Sequence, residues 1–263
     1  MTSDKLLAIA TMLLVPLLAV LIPILIGQRY GQYRKRKLED QAHAPVGAVV
    51  GAAFGLLAFM LAITFQIAAN RFDARKELLL DEVTNIRSTY LRAGLIPEPY
   101  RSNTKKQLVE YVDLRVDLAK DISKLNIAVT RSQQILDSLW KYTEALAAQD
   151  RSSEVYALYT TSVNDIVNNY NQRIAVGLQY RIPGAVLFVL FIISFFSMLV
   201  LGYQFGISGK GNFWLILLLS FIFAVVMFLI LALDQPEKGL AGINQKPMFT
   251  LQQQLHSKQL NVP

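Results

Sequence analysis

The residues able to do covalent or metal chemistry in this chain are few and badly spaced for it. Cysteine is absent, which removes thiolate nucleophiles, disulfides and cysteine-held metal or iron-sulfur centres. The two histidines, His43 in a basic stretch and His256 in the tail, stand in no HExxH or other metal-binding spacing and read as solvated side chains. Asp113, Asp117 and Asp121 recur on one helix face, but Arg115, Lys120 and Lys124 lie among them, the pattern of a solvated surface. No GxGxxG and no Walker-type phosphate loop occurs, and Gly209-Lys210-Gly211 reads as a turn. Asp234 ends an apolar run shortly before Pro236, where a carboxylate caps the next turn or pairs with Arg71 or Arg181 sooner than it relays protons. The residues specify no catalytic group and no cofactor, and the expectation is that the chain is not an enzyme.

What the residue spacing does support is close helix approach and the passage of ions. Gly47, Gly51 and Gly55 fall at intervals of four, and Ala58 and Ala62 extend the same stripe. Lipid tails are as apolar as leucine, so helices in a bilayer associate through close van der Waals contact, which small residues maximise. That face either packs within one subunit or meets its symmetry mates around a conduction path. Polar residues follow toward the far end: Thr64, Gln66 and Asn70, then Arg71, Arg75 and Lys76. Asn70, Arg71 and Arg75 can draw anions to a mouth, or serve as snorkelling anchors beside Asp73 and Glu77.

The elements that must position these residues are four apolar runs, Leu6 to Gly27, Val46 to Ala69, Gly184 to Gly206 and Phe213 to Leu233. Each is 21 to 24 residues long and free of ionisable side chains. At about 1.5 Å rise per residue each crosses a hydrocarbon core of roughly 30 Å. The lipid bilayer is therefore the first partner, and the first run is a retained span, kinked at Pro16 and Pro23. The expected domains are 1–70, holding spans one and two; 71–182, an extramembrane helical domain; 183–234, a hairpin of spans three and four; and 235–263, a tail.

The formal charge of +7 is unevenly spread. Gln28 to Pro45 holds Arg29, Arg34, Lys35, Arg36 and Lys37 against Glu39 and Asp40, whereas residues 71–181 carry 16 Lys and Arg against 14 Asp and Glu. That near balance lacks the one-sign stripe of a nucleic-acid module. The positive-inside rule puts the short basic loop in the cytoplasm and the central segment on the other side.

The central segment reads as helix throughout. Leu79, Val83, Ile86 and Tyr90 form one stripe, with Gly94 and Pro97 as a stop. Leu108, Tyr111, Val112, Leu118, Ile122 and Leu125 form a second. Thr130 with Gln133 reads as a capping-box start for a third, carrying Ile135, Leu136, Leu139, Trp140 and Leu146. A fourth starts at about Ser153, places Val155, Leu158, Tyr159, Ile166, Tyr170 and Ile174 on one face, and leads to Pro183 in the first turn of span three. The tail lies along the membrane face or this bundle.

Several motifs resemble a known family. Gly55-Leu56-Leu57 followed by Asn70-Arg71-Phe72-Asp73-Ala74-Arg75-Lys76 resembles the end of the second span of bacterial bestrophins. A likeness across most of the chain, to the bacterial bestrophin-like family, is carried by Tyr90-Leu91-Arg92, Leu95-Ile96-Pro97-Glu98 and Tyr111-Val112-Asp113-Leu114-Arg115. Leu233-Asp234-Gln235-Pro236, with Gly239 and Pro247 beyond, completes it. The resemblance implies an all-α integral membrane protein of the bacterial plasma membrane, a homopentamer passing small inorganic anions such as chloride. Span two would line a hydrophobic neck. Counting back whole turns from Phe72-Asp73 puts the neck on Phe54, Ala58 and Ala62, with Thr64 beyond, and two alanines there depart from the family's bulky neck. The resemblance also implies cytoplasmic termini, opposite to the loop-charge orientation, and sidedness stays open between the two. The calcium-binding acidic cluster of animal bestrophins is not recognisable. The alternative function is a membrane-anchored sensory or interaction module whose helical domain binds a ligand or partner; an ion-coupled transporter lacks the buried charge that coupling needs.

Overall fold

The computed structural model describes residues 3–37, 46–179, 181–209, 213–234 and 242–260. These residues form an all-α integral membrane protein. The helices are α1 (Ser3–Lys37), α2 (Val46–Arg92), α3 (Tyr100–Lys120), α4 (Leu125–Gln149), α5 (Glu154–Ile174), α6 (Gly184–Ser208), α7 (Phe213–Asp234) and α8 (Lys246–Leu260). Four of them, α1, α2, α6 and α7, are long and apolar enough to cross a membrane. The chain divides into two compact units, residues 1–73 with 181–242, and residues 74–180 with 243–263.

In the first unit α1 packs against α6 and α7. Its core is built from Val20, Ile24, Leu57, Leu61, Met198 and Met227 with their neighbours. Large apolar side chains on all four spans are left outward, Ile22, Phe59, Phe188 and Trp214 among them. In water such a surface would aggregate; against lipid tails it costs nothing. Pro16 and Pro23 lie inside one continuous α1. That helix runs ten residues past the expected end of span one, so Arg29, Arg34, Lys35 and Arg36 belong to its last turns, where cations complement the helix C-terminus. The remainder of the expected loop, residues 38–45 with Glu39, Asp40 and His43, lies outside the described residues, as do Lys210 and Gly211 of the short turn.

The closest helix approach in this unit is made by glycines at GxxxG spacing on α1 and α6. A Cβ on Gly202 or Gly206 would stand under 3.0 Å from the backbone of Ile24 or of Gln28 and Gln32. A Cβ on Gly27 or Gly31 would meet the backbone of Leu199 or Tyr203 equally closely. Backbone therefore rests on backbone along two turns of each helix, which only residues lacking a side chain permit. Gly209, with φ of 69°, then ends α6 in the left-handed conformation.

The second unit is a helical bundle. Leu79, Ile86, Leu108, Tyr111, Leu139 and Tyr159 lie at the centre of its core. Residues of α8 close it, with Met248, Leu251 and Leu255 each at most 2% exposed. Four sequence expectations are corrected here. The second stripe stops at Val116, because Asp121 ends α3 and caps a 3₁₀ turn, its Oδ1 accepting from the Ser123 N–H at 3.0 Å and hydroxyl at 2.7 Å. Ile122 in that turn is 59% exposed. Consequently α4 starts at Leu125, and Thr130 is inside the helix instead of at its cap. On α5 the start is as expected, with Ser153 Oγ accepting from the Tyr156 N–H, but Val155 and Leu158 face outward and the core is reached only from Tyr159. Pro183 is the N-cap of α6, one position before its first turn.

Candidate functional site

Residues 46–73 of α2 belong to the first unit, and their two sides differ sharply. Val50, Leu57, Leu61, Thr64 and Ala68 recur at spacings of seven, four, three and four, and all but the half-buried Val50 are buried. This is the side that faces α6 and α7: Ser197 Oγ donates to the Ala53 carbonyl at 3.2 Å, and Phe54 meets Phe223 edge to face at 5.7 Å. A neighbouring face, roughly 100° round the helix, carries Gly47, Gly51, Gly55, Ala58 and Ala62, all exposed. No described atom lies within 4 Å of where a Cβ on Gly51 or Gly55 would stand, and Gly47 has only Gln204 Nε2 at 3.6 Å. The bare stripe is thus not what packs this chain on itself. That task falls to Gly27, Gly31, Gly202 and Gly206, two GxxxG pairs at the ends of their apolar runs.

The predicted site residues fall on different faces. Ala58 and Ala62 share the uncovered stripe with Gly51 and Gly55. Phe54 lies at its edge, half-buried against Phe223. Thr64 is apart from them: it is fully buried, and its hydroxyl donates to the Met60 carbonyl at 2.7 Å, one turn back on the same helix. A side chain enclosed by its own subunit cannot line a water path. The expected mouth is also divided. Asn70 is exposed and its Oδ1 accepts from Gln66 Nε2 at 2.6 Å. Arg71 and Arg75 are on the packed side of the helix; Arg75 is 9% exposed, and Arg71 Nη1 is buried. The two guanidiniums therefore do not flank Asn70, because residues four apart share a face and Asn70 is turned from both.

Other motif residues prove to be polar ties. Asp234, 3% exposed, forms no ion pair with Arg71 or Arg181 among the described residues. Its Oδ1 accepts from the backbone N–H of Ile182 at 2.9 Å and so fixes the approach to α6. In the second unit Glu82, buried, is the centre of a clamp. Its Oε1 accepts from the Tyr111 hydroxyl at 2.8 Å and faces Arg115 Nε at 3.3 Å, and Arg173 Nη1 meets Oε2. Burial pushes the Tyr111 phenol up to about 12, Arg115 opposing, so it remains a donor. Burial also pulls Arg173 down to about 10, which leaves it cationic at neutral pH. Asp113 and His256, expected to be solvated, meet each other: Asp113 Oδ1 takes Gln252 Nε2 at 2.7 Å and His256 Nε2 at 2.9 Å, joining α8 to α3. Gln235, Pro236 and Gly239 lie outside the described residues.

Comparisons with known proteins agree with this architecture. A family profile described as Bestrophin-like domain matches residues 13–248. A crystal structure of a mutated bestrophin homologue from Klebsiella pneumoniae is similar over 96% of this chain and 99% of its own, with a TM-score of 0.65 and 16% identity. A second mutant of the Klebsiella pneumoniae homologue matches over 94% and 99%, with a TM-score of 0.63 and 17% identity. A crystal structure described only as a mutated membrane protein matches over 97% and 100%, with a TM-score of 0.65 and 17% identity. No curated protein matches. At such identities the solved structures speak for the fold, and the profile, covering nearly the whole chain, speaks for descent: this chain belongs to the bestrophin-like family.

Proposed function

We propose that the protein is an oligomeric ion channel of the bacterial plasma membrane, a homopentamer passing small anions such as chloride, with α2 nearest the symmetry axis. The observation that carries this reading is the uncovered stripe of Gly51, Gly55, Ala58 and Ala62, a face of small residues beside the packed row of Leu57, Leu61, Thr64 and Ala68. A stripe of small residues lets another helix approach more closely than lipid tails pack, and copies of the same face around an axis supply that contact or leave a narrow water path between them. The narrowest part of that path is lined by Ala58 and Ala62, with Phe54 at the rim. Thr64 takes no part, being enclosed. Anion preference is supported by family likeness and by the net charge of +7 more than by Arg71 and Arg75, which are turned to the packed side.

Purified protein in planar bilayers under a chloride gradient tests the reading. Discrete currents reversing near the chloride potential are expected, together with an oligomeric mass in native detergent. A monomeric mass with silent bilayers would instead favour the membrane-anchored binding module.

A further inference from the structure

One face of α1 changes character along its length. Val15, Ile22 and Ile26 are exposed apolar side chains on it, and at the next spacings of three, four and three the same face carries Arg29, Tyr33 and Arg36, all exposed. At about 100° per residue this face is turned away from Gly27 and Gly31, which hold α1 against the backbone of α6. The level at which isoleucine gives way to arginine and tyrosine is the level at which hydrocarbon gives way to headgroups. The end of α6 agrees with it, since a Cβ on Gly209, its capping residue, would stand 2.8 Å from Lys35 Nζ. Five residues on, at the head of α7, Trp214 is 72% exposed, the placing of an interfacial aromatic ring. Among the described residues none of Arg29, Arg34, Lys35 and Arg36 forms an ion pair. The segments joining the spans here, residues 28–45 and 207–212, hold six cations against Glu39 and Asp40 alone, an excess of four positive charges.

We infer that this end of the membrane unit binds anionic phospholipid, with lipid phosphates held by Arg29, Arg34, Lys35 and Arg36 and with Tyr33 and Trp214 among the headgroups. Guanidinium groups suit phosphate oxygens, which they meet with two parallel N–H donors. A zwitterionic headgroup brings no net charge to offset the cationic excess, whereas an anionic one does. A soluble acidic partner would use the charges alone. The apolar strip of Val15, Ile22 and Ile26 continues directly from Arg29 on the same face, at acyl-chain depth, and so fits a molecule that joins an anionic head to hydrocarbon tails.

Trp214 reports on this site once Trp140, the other tryptophan of the chain, is replaced by phenylalanine. The full chain with Trp140→Phe is reconstituted in mixed vesicles of phosphatidylcholine and phosphatidylglycerol, one or the other brominated on its acyl chains, so that the brominated lipid quenches Trp214 on contact. Phosphatidylglycerol should quench as though enriched about five-fold over its share of the bilayer, the effect of one well-placed cation beside an anionic surface. In about 1 M salt the enrichment should fall toward unity. Arg34→Gln, Lys35→Gln and Arg36→Gln together, all at exposed positions, should abolish it, with brominated phosphatidylcholine still quenching Trp214, which separates a lost preference from a lost fold. Equal quenching by the two lipids in the parent, an enrichment indifferent to salt, or one that survives the triple substitution would each overturn the inference. The readout needs no current, so it stands apart from the channel reading.

Discussion

Glu82 shows how much of the second unit depends on one carboxylate. Two arginines and a tyrosine converge on it in a space from which water is excluded. Removing the negative charge while leaving the guanidiniums in place costs far more than never having built the cluster, about 3 kcal/mol or more. Glu82→Gln should therefore lower the thermal midpoint in detergent substantially, and adding Arg173→Met should recover part of the loss; an unchanged midpoint in the single variant would refute the clamp. Phe54 offers a second test. Because its ring meets Phe223 within the subunit, Phe54→Ala should destabilise the fold by roughly 1 to 2 kcal/mol, below the value for a fully buried ring. The melting curve registers that loss, so a change in current without a shift in midpoint would point to the rim position instead. None of this was readable from the residues alone. Arg115 and Asp113 sit two apart among alternating charges, and only the tertiary neighbours reveal that one turns inward to Glu82 and the other outward to His256.

Helices were more legible than the contacts among them. Runs of uncharged residues predicted all four spans, and stripes at spacings of three and four predicted most of the bundle, because both signals are written locally. The boundary between α3 and α4 is set by Asp121 and not by the capping-box pattern at Thr130, because an aspartate that bonds its own backbone is a strong terminator. Glycine spacing was the ambiguous signal. Three GxxxG-type stripes occur, on α1, α2 and α6, and spacing says that a helix can be approached closely without saying by what. The structure separates them: α1 and α6 use theirs on each other, α2 leaves its own bare. Gly202→Ala should consequently push α1 from α6 and cost about 1 to 3 kcal/mol, seen as a lower melting point of the subunit at any protein concentration. Gly51→Ala and Gly55→Ala should leave that melting point alone and change only the oligomer, read as a shift in mass by native mass spectrometry. Equal effects of the two kinds of substitution would contradict the division of roles.

The subunit buries its core, satisfies its charged clamp, and leaves a stripe of small residues on α2 with nothing described against it. In the proposed ion-conducting oligomer that stripe lines the path, so water must reach Ala58. Bulk at that position should close the path: Ala58→Phe raises the barrier, and an added ~1.4 kcal/mol would lower single-channel current about ten-fold. The most direct test exploits the absence of cysteine. With Ala58→Cys as the sole thiol, currents in planar bilayers should be blocked by a water-soluble, membrane-impermeant thiol reagent, while Leu57→Cys, on the buried side, should remain unaffected. Currents indifferent to the reagent at Ala58→Cys, or block at Leu57→Cys instead, would contradict a pore lined by the bare face of α2.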